Sequence, residues 1–111
     1  MIDTISLERA IIGCILMNGK LFIPLKGELR QDEFSDEICK TIYGAMTLLE
    51  YRGMSIDPVM VITQLSRNKD NDIHEADIYA LANAAPNEEL FSEYVLELGE
   101  IRGEEFEEQN K

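Results

Sequence analysis

Residues 34–58 read FSDEICKTIYGAMTLLEYRGMSIDP. Ser35 is placed to cap a helix whose first turn carries Asp36 and Glu37, where negative charge suits the positive end of the helix dipole. Ile38, Ile42, Ala45, Met46 and Leu49 follow at helical spacing on one face, and Cys39 and Tyr43 widen it. Arg52 lies in the last turn and Gly53 follows, a common way for a helix to stop. Asp57-Pro58 then has the form of a cap and first residue of the next helix. Roughly 17 residues at about 1.5 Å each make a rod of about 25 Å. This stretch is expected to be the central helix on which the others pack.

Working toward the N-terminus, Phe34 stands as an aromatic plug before that helix, in the position of a hydrophobic staple. Gln31-Asp32-Glu33 reads as a polar loop. Lys20 to Leu29 is irregular: Leu21, Phe22 and Leu25 suit a short helix, but Pro24 is tolerated only in its first turn. Earlier still, Ser6 caps a helix over residues 7–18, ended by Asn18-Gly19. Leu7, Ile11, Cys14 and Ile15 form one stripe, Ile12 and Leu16 a second, so this helix is expected to be buried on two sides. Gly13 within it costs about 1 kcal/mol of helix propensity and leaves room for a close neighbour.

Toward the C-terminus, a helix over residues 57–67 turns Val59, Ile62 and Leu65, with Val61, inward. Residues 68–72 form a polar turn. Residues 77–85 make a small-residue helix with Ile78, Tyr79, Leu81 and Ala82 inward, stopped by Pro86. Asn87 caps a last helix with Glu88 and Glu89 in its first turn and the stripe Leu90, Phe91, Tyr94, Val95, Leu98 and Ile101. Residues 103–111 are an acidic tail, either a frayed extension of that helix or disordered. No strand pattern or internal repeat is visible. The fold class is all-α: one domain over residues 1–102, a compact orthogonal bundle of five or six helices with no sheet.

Composition agrees. A chain of 111 residues with 45% hydrophobic content is globular and long enough to bury one core. No signal peptide and no span long enough for a bilayer is present, so a cytoplasmic, non-membrane protein is expected. Net charge is −12, unevenly spread: residues 1–55 hold 6 Lys/Arg and 8 Asp/Glu, whereas residues 56–111 hold 4 and 14. Such a surface repels phosphates, which argues against direct nucleic-acid binding and suits a protein partner with a basic face. Glu88, Glu89, Glu93, Glu97 and Glu100 recur opposite the last apolar stripe, as a solvated face or a docking surface.

Catalytic motifs are missing. There is no phosphate loop, GxGxxG, HExxH or zinc set. Asp70-Asn71-Asp72 lacks the ligand spacing of a calcium loop and reads as a turn. Cys14 and Cys39 both lie on apolar faces, as buried thiols or as a disulfide or metal pair. His74, the one histidine, precedes a helix, where it is solvated or near a cap. No catalytic, cofactor-binding or metal residue can be named.

Several short segments together resemble the N-terminal region of replicative DNA helicases of the DnaB family. Ser6-Leu7-Glu8 and Ala10-Ile11-Ile12-Gly13-Cys14-Ile15-Leu16 are similar to that family's opening. Asp32-Glu33-Phe34, Ile42-Tyr43-Gly44-Ala45-Met46-Thr47-Leu48-Leu49 with Arg52-Gly53, Ile56-Asp57-Pro58-Val59, and Ala80-Leu81-Ala82 up to Pro86 follow in the family's order, then the helix Leu90 to Ile101. The resemblance covers residues 5–102. It implies a helical head that, with a following hairpin, forms the collar of a hexameric ring, supports assembly and binds primase. It also implies that ATP and magnesium belong to a RecA-like motor absent from this chain.

Two departures stand out. The sequence stops where the hairpin should begin. After Leu98 the family turns basic, whereas Glu104, Glu105, Glu107 and Glu108 here are acidic. The expected function is a non-catalytic assembly and docking domain of a replicative helicase, part of an ATP-dependent enzyme if the chain continues. The alternative is a free-standing regulator, as from a mobile element, that binds a helicase or its loader. Self-association and binding to primase or another replisome protein are expected. The candidate surface is Leu90, Phe91, Tyr94, Val95 and Leu98, exposed if the helix lacks a hairpin partner and otherwise packed on the central helix.

Overall fold

The computed structural model describes residues 3–25, 27–68, 72–84 and 87–109. Six helices follow in order, and no strand occurs among the described residues. Helix α1 spans Ile5–Met17, α2 Phe22–Leu25, α3 Glu37–Tyr51, α4 Pro58–Ser66, α5 Glu75–Asn83 and α6 Phe91–Gln109. Short 3-10 turns at Gly19–Leu21, Gln31–Glu33 and Glu88–Leu90 precede α2, α3 and α6. None of the described helices is long and apolar enough to cross a membrane. The all-α bundle expected from periodicity is the observed architecture.

Its centre differs from expectation. Helix α1, not α3, is the hub: it packs against α3, α5 and α6, while α3 chiefly meets α4. The reason lies in the two stripes of α1. Ile11, Ile12, Gly13, Cys14, Ile15 and Leu16 are all buried, and a helix apolar around most of its girth needs neighbours on several sides. Helix α3 shows one face inward, with Cys39, Ile42, Tyr43, Ala45, Met46 and Leu49 buried and Leu48 and Tyr51 outside.

Two close fits hold the halves together. The end of α1 lies so near the α3–α4 connection that a Cβ on Gly19 would sit 2.2 Å from the Ile56 carbonyl oxygen. Tyr43 is wedged between two rings, 5.2 Å from Phe22 and 5.0 Å from Phe34, centre to centre. Its hydroxyl donates to the Leu29 carbonyl at 2.7 Å. Phe34 thus plugs the core just before α3.

Helix boundaries follow from local chemistry. At the end of α3, Gly53 takes φ +72°. Its N–H donates to Glu50 O at 3.0 Å and that of Met54 to Leu49 O at 2.9 Å, the paired bonds of a Schellman cap. Asp57 caps α4, its side chain accepting from Met60 N at 2.7 Å, and Pro58 opens the helix. Pro24 is tolerated within the single turn of α2. Helix α5 begins at Glu75, earlier than expected, because Asp77 accepts from His74 N at 3.0 Å and closes its first turn.

Other expectations are corrected. The N-cap of α3 is Asp36, not Ser35; the Ser35 N–H and hydroxyl are both taken by Glu8. Val59 is exposed and Val61 buried, and Tyr79 is exposed while Ile78 and Ala82 face the core. Val61, Ile78 and Ala82 are inward as expected; the two misplaced residues, Val59 and Tyr79, sit on nine-residue helices, whose rotation is set by capping and by the neighbour rather than by a long stripe. Asn87 caps the 3-10 turn that runs into α6, not α6 itself. The central residues of the polar turn (69–71), the Pro86 stop, and the tail side chains Glu104, Glu105, Phe106, Glu107 and Glu108 lie outside the described residues.

Candidate interaction surface

Helix α6 and the 3-10 turn before it carry the candidate residues, and the stripe of α6 lies on α1 rather than on α3. Phe91, Val95, Leu98 and Ile101 are buried at three- and four-residue spacing, Leu98 completely. Tyr94 is half-buried against the core, and Leu90 is 38% exposed. The structure therefore brings Phe91, Val95 and Leu98 into the interior and leaves Leu90 and part of Tyr94 outside. Leu96, which pattern reading passed over, is also exposed. Asn18 donates to Glu88 at 2.6 Å, which sets the end of α1, with exposed Met17, beside the turn that carries Leu90. Glu88, Glu89, Glu93, Glu97 and Glu100 are all exposed, so acidic groups surround the exposed apolar ones.

Sequence reading missed a buried polar cluster. Glu8, within the apolar span of α1, is 0% exposed. Its Oε1 accepts from Ser35 N at 2.6 Å and Asp36 N at 2.9 Å. Its Oε2 accepts from the hydroxyls of Thr4 at 2.5 Å and Ser35 at 2.6 Å and from Arg102 Nη2 at 3.3 Å. Arg102 also donates from Nη2 to Thr4 Oγ1 at 3.0 Å and from Nε to the Glu33 carbonyl at 2.8 Å. Every buried side-chain nitrogen and oxygen among the described residues has a partner. A buried carboxylate is tolerated only when its acceptor sites are filled. At the start of α3 it also meets the positive end of that helix's dipole. The available signals were a glutamate inside an apolar helix with Thr4 one turn earlier, and Arg102 as the one Lys or Arg between Lys69 and Lys111.

A second cluster adjoins it. Arg9 donates to Asp36 Oδ2 at 2.9 Å, and the Cys39 thiol donates to the same oxygen at 3.2 Å. Burial pushes Asp36 up, but the Arg9 bond, the Cys39 bond and the Arg9 charge outweigh it and hold the carboxyl below its usual value. Burial first, then Asp36, pushes the Cys39 thiol far up. Burial and then the Glu88 charge raise Cys14. Both cysteines are free and buried, so neither is a ready nucleophile. His74 is exposed, at the N-terminus of α5.

Two open grooves flank α3. One of about 520 Å³ lies between α1, the start of α3 and α5, with Ile38 and Leu81 on its floor and Arg9 and Asp77 at its rim. The other, about 610 Å³, runs between α3 and α4 past Leu48 and Arg67. No group of metal-ligating side chains occurs among the described residues.

Comparison with known proteins adds three findings. The family described as DnaB-like helicase N terminal domain matches residues 2–100. The crystal structure of the N-terminal domain of DnaB helicase from Mycobacterium tuberculosis superposes with a TM-score of 0.78 at 20% sequence identity. That match covers 86% of this chain and 68% of the other. No curated protein sequence matches significantly.

Proposed function

The chain belongs to the family of DnaB-like helicase N-terminal domains, and from that premise we propose that it is a non-catalytic assembly and docking head acting in DNA replication. In this reading the head self-associates as part of a helicase collar and receives primase or another replisome protein. Motor chemistry, with its ATP and magnesium, belongs to a separate part of the helicase, and the head works in the cytoplasm.

The family match over residues 2–100 carries the reading. The surface of α6 supports it in kind. Leu90 and the outer part of Tyr94 offer apolar contact among glutamates, and a partner with matching basic side chains would be steered toward it. The clustered polar groups, Glu8 and Arg102 among them, are consumed in holding helices together, as befits a scaffold.

Two measurements test the proposal. Light scattering over a concentration series should give a mass above the 12.6 kDa monomer. Calorimetric titration with the C-terminal domain of a bacterial primase should give saturable heat. A monomer at every concentration together with no heat would refute it.

A further inference from the structure

We infer that the ion pair between buried Glu8 and partly buried Arg102 is a positioning clamp that fixes the direction in which α6 leaves the head. The inference rests, for its purpose, on the reading above: the direction of α6 matters because assembly needs a defined surface.

Among the described side chains, the apolar grip on α6 ends at Ile101. Phe91, Val95, Leu98 and Ile101 seat it on α1, yet the helix continues to Gln109. Eight further residues at 1.5 Å each project about 12 Å beyond Ile101. Arg102 immediately follows Ile101, and among the described side chains it makes the last contacts before that projection.

Arg102 reaches two separate parts of the chain from one planar group. Nε donates to the Glu33 carbonyl in the turn before α3. Nη2 donates to Thr4 and Glu8 at the start of α1. An apolar stripe permits sliding and rolling, whereas a guanidinium with directed donors has one orientation that satisfies them. Glu8 is itself immobilised by Ser35 N, Asp36 N and two hydroxyls, so Arg102 meets a fixed target.

Energetics point the same way. Apolar residues of similar volume often close a buried contact as well as an ion pair or better, and fixing register is the best-attested use of buried charges. The pair joins segments 94 residues apart in sequence, the first turn of the first helix and the exit of the last. It is the kind of contact that ties orientation rather than local order.

Two variants separate direction from folding. In Glu8→Gln, the amide oxygen can go on accepting from Ser35 N and Asp36 N, while the amide N–H₂ is turned against Arg102. Arg102→Lys keeps the charge and the stem but loses the planar fork, and its partly exposed site makes it the milder change. Spin labels at Tyr51→Cys, an 86% exposed side chain, and Gly103→Cys, where a Cβ meets nothing within 4 Å, report the direction of α6 against α3. Native Cys14 and Cys39 are buried and stay unlabelled. Labelled chains are diluted into unlabelled protein so that only distances within one chain are read.

The parent should show one narrow distance peak. Arg102→Lys, and Glu8→Gln if it folds, should lose that single peak while the far-ultraviolet helical spectrum is kept, and self-association should weaken. An unchanged narrow peak in Arg102→Lys would overturn the clamp. A broadened peak with unchanged self-association would overturn its role in assembly. If the parent is monomeric and also gives no heat with primase, the proposed function fails, and the distance measurement still decides the clamp.

Discussion

Replacing Glu8 by alanine tests the buried cluster most severely. The change removes the acceptor of Ser35 N, Asp36 N and the Thr4 and Ser35 hydroxyls, and takes the Glu8 carboxylate from the Arg102 guanidinium. Removing one partner of a buried pair costs about 3–5 kcal/mol. Arg102 is 19% exposed at its side chain and keeps the Glu33 carbonyl, so the lower half of that range applies, about 3–4 kcal/mol. The total stability of a domain this size is about 5–15 kcal/mol, so the variant should be severely weakened but still folded in the cold. Urea unfolding followed by circular dichroism reads this directly. With a slope of about 1.5 kcal/mol per molar, the midpoint should fall by about 2–2.7 M. Glu8→Gln should lose roughly half as much, since its oxygen still serves the two backbone amides. A Glu8→Ala midpoint within about 0.3 M of the parent, at an unchanged slope, would refute the reasoning.

Other outcomes follow from single contacts. Gly19→Ala would set a Cβ 2.2 Å from the Ile56 carbonyl; backbone must move, and a loss of about 2 kcal/mol or more is expected in thermal melts, while Gly103→Ala, with nothing within 4 Å, should gain up to about 1 kcal/mol. Burial, then the Glu33 charge, pushes Tyr43 up to about 12. Its folded value lies above the unfolded one near 10, so stability is fully present below about pH 10 and is lost as pH rises toward 12; Tyr43→Phe should flatten that alkaline loss in a pH series of unfolding. Asp36 is held below its ordinary value, so it stabilises above the usual carboxylate range and that contribution vanishes as pH falls through its folded value; Asp36→Asn should be less stable at neutral pH and show a shallower acid limb. Leu98→Glu should unfold the protein because Leu98 is fully buried, whereas Tyr94→Glu should stay helical and lower the mass seen by light scattering; a folded Leu98→Glu variant would contradict the packing of α6.

Much of the fold was legible because it is written locally. Gly53 and Asp57-Pro58 encode their helix ends by backbone conformation and cap chemistry, and both ends lie where the sequence put them. The length of α3 made its inner face readable, whereas the nine-residue α4 and α5 left Val59 and Tyr79 facing the wrong way. The rank of α1 over α3 was half legible: its two stripes were noted, but only the assembled neighbours show that such a helix becomes the hub. The Glu8 cluster was the least legible. Its members come from residues 4, 8, 33, 35, 36 and 102, and no spacing rule links a glutamate on the first helix to the amides before the third. Ser35 carried a misleading signal, a capping residue whose N–H and hydroxyl are both spent on Glu8. On α6, spacing identified the apolar residues but could not say which would be covered. That depended on where the helix crosses α1, and the crossing leaves Leu90 and part of Tyr94 outside.

The central claim is that this chain is an assembly and docking head of a replicative helicase. Sedimentation equilibrium over a wide concentration range, with and without the C-terminal domain of a bacterial primase, tests it most directly. The account predicts a reversible rise above the 12.6 kDa monomer and a further shift when primase is added. A mass that stays at the monomer value throughout, with primase sedimenting independently, would contradict it.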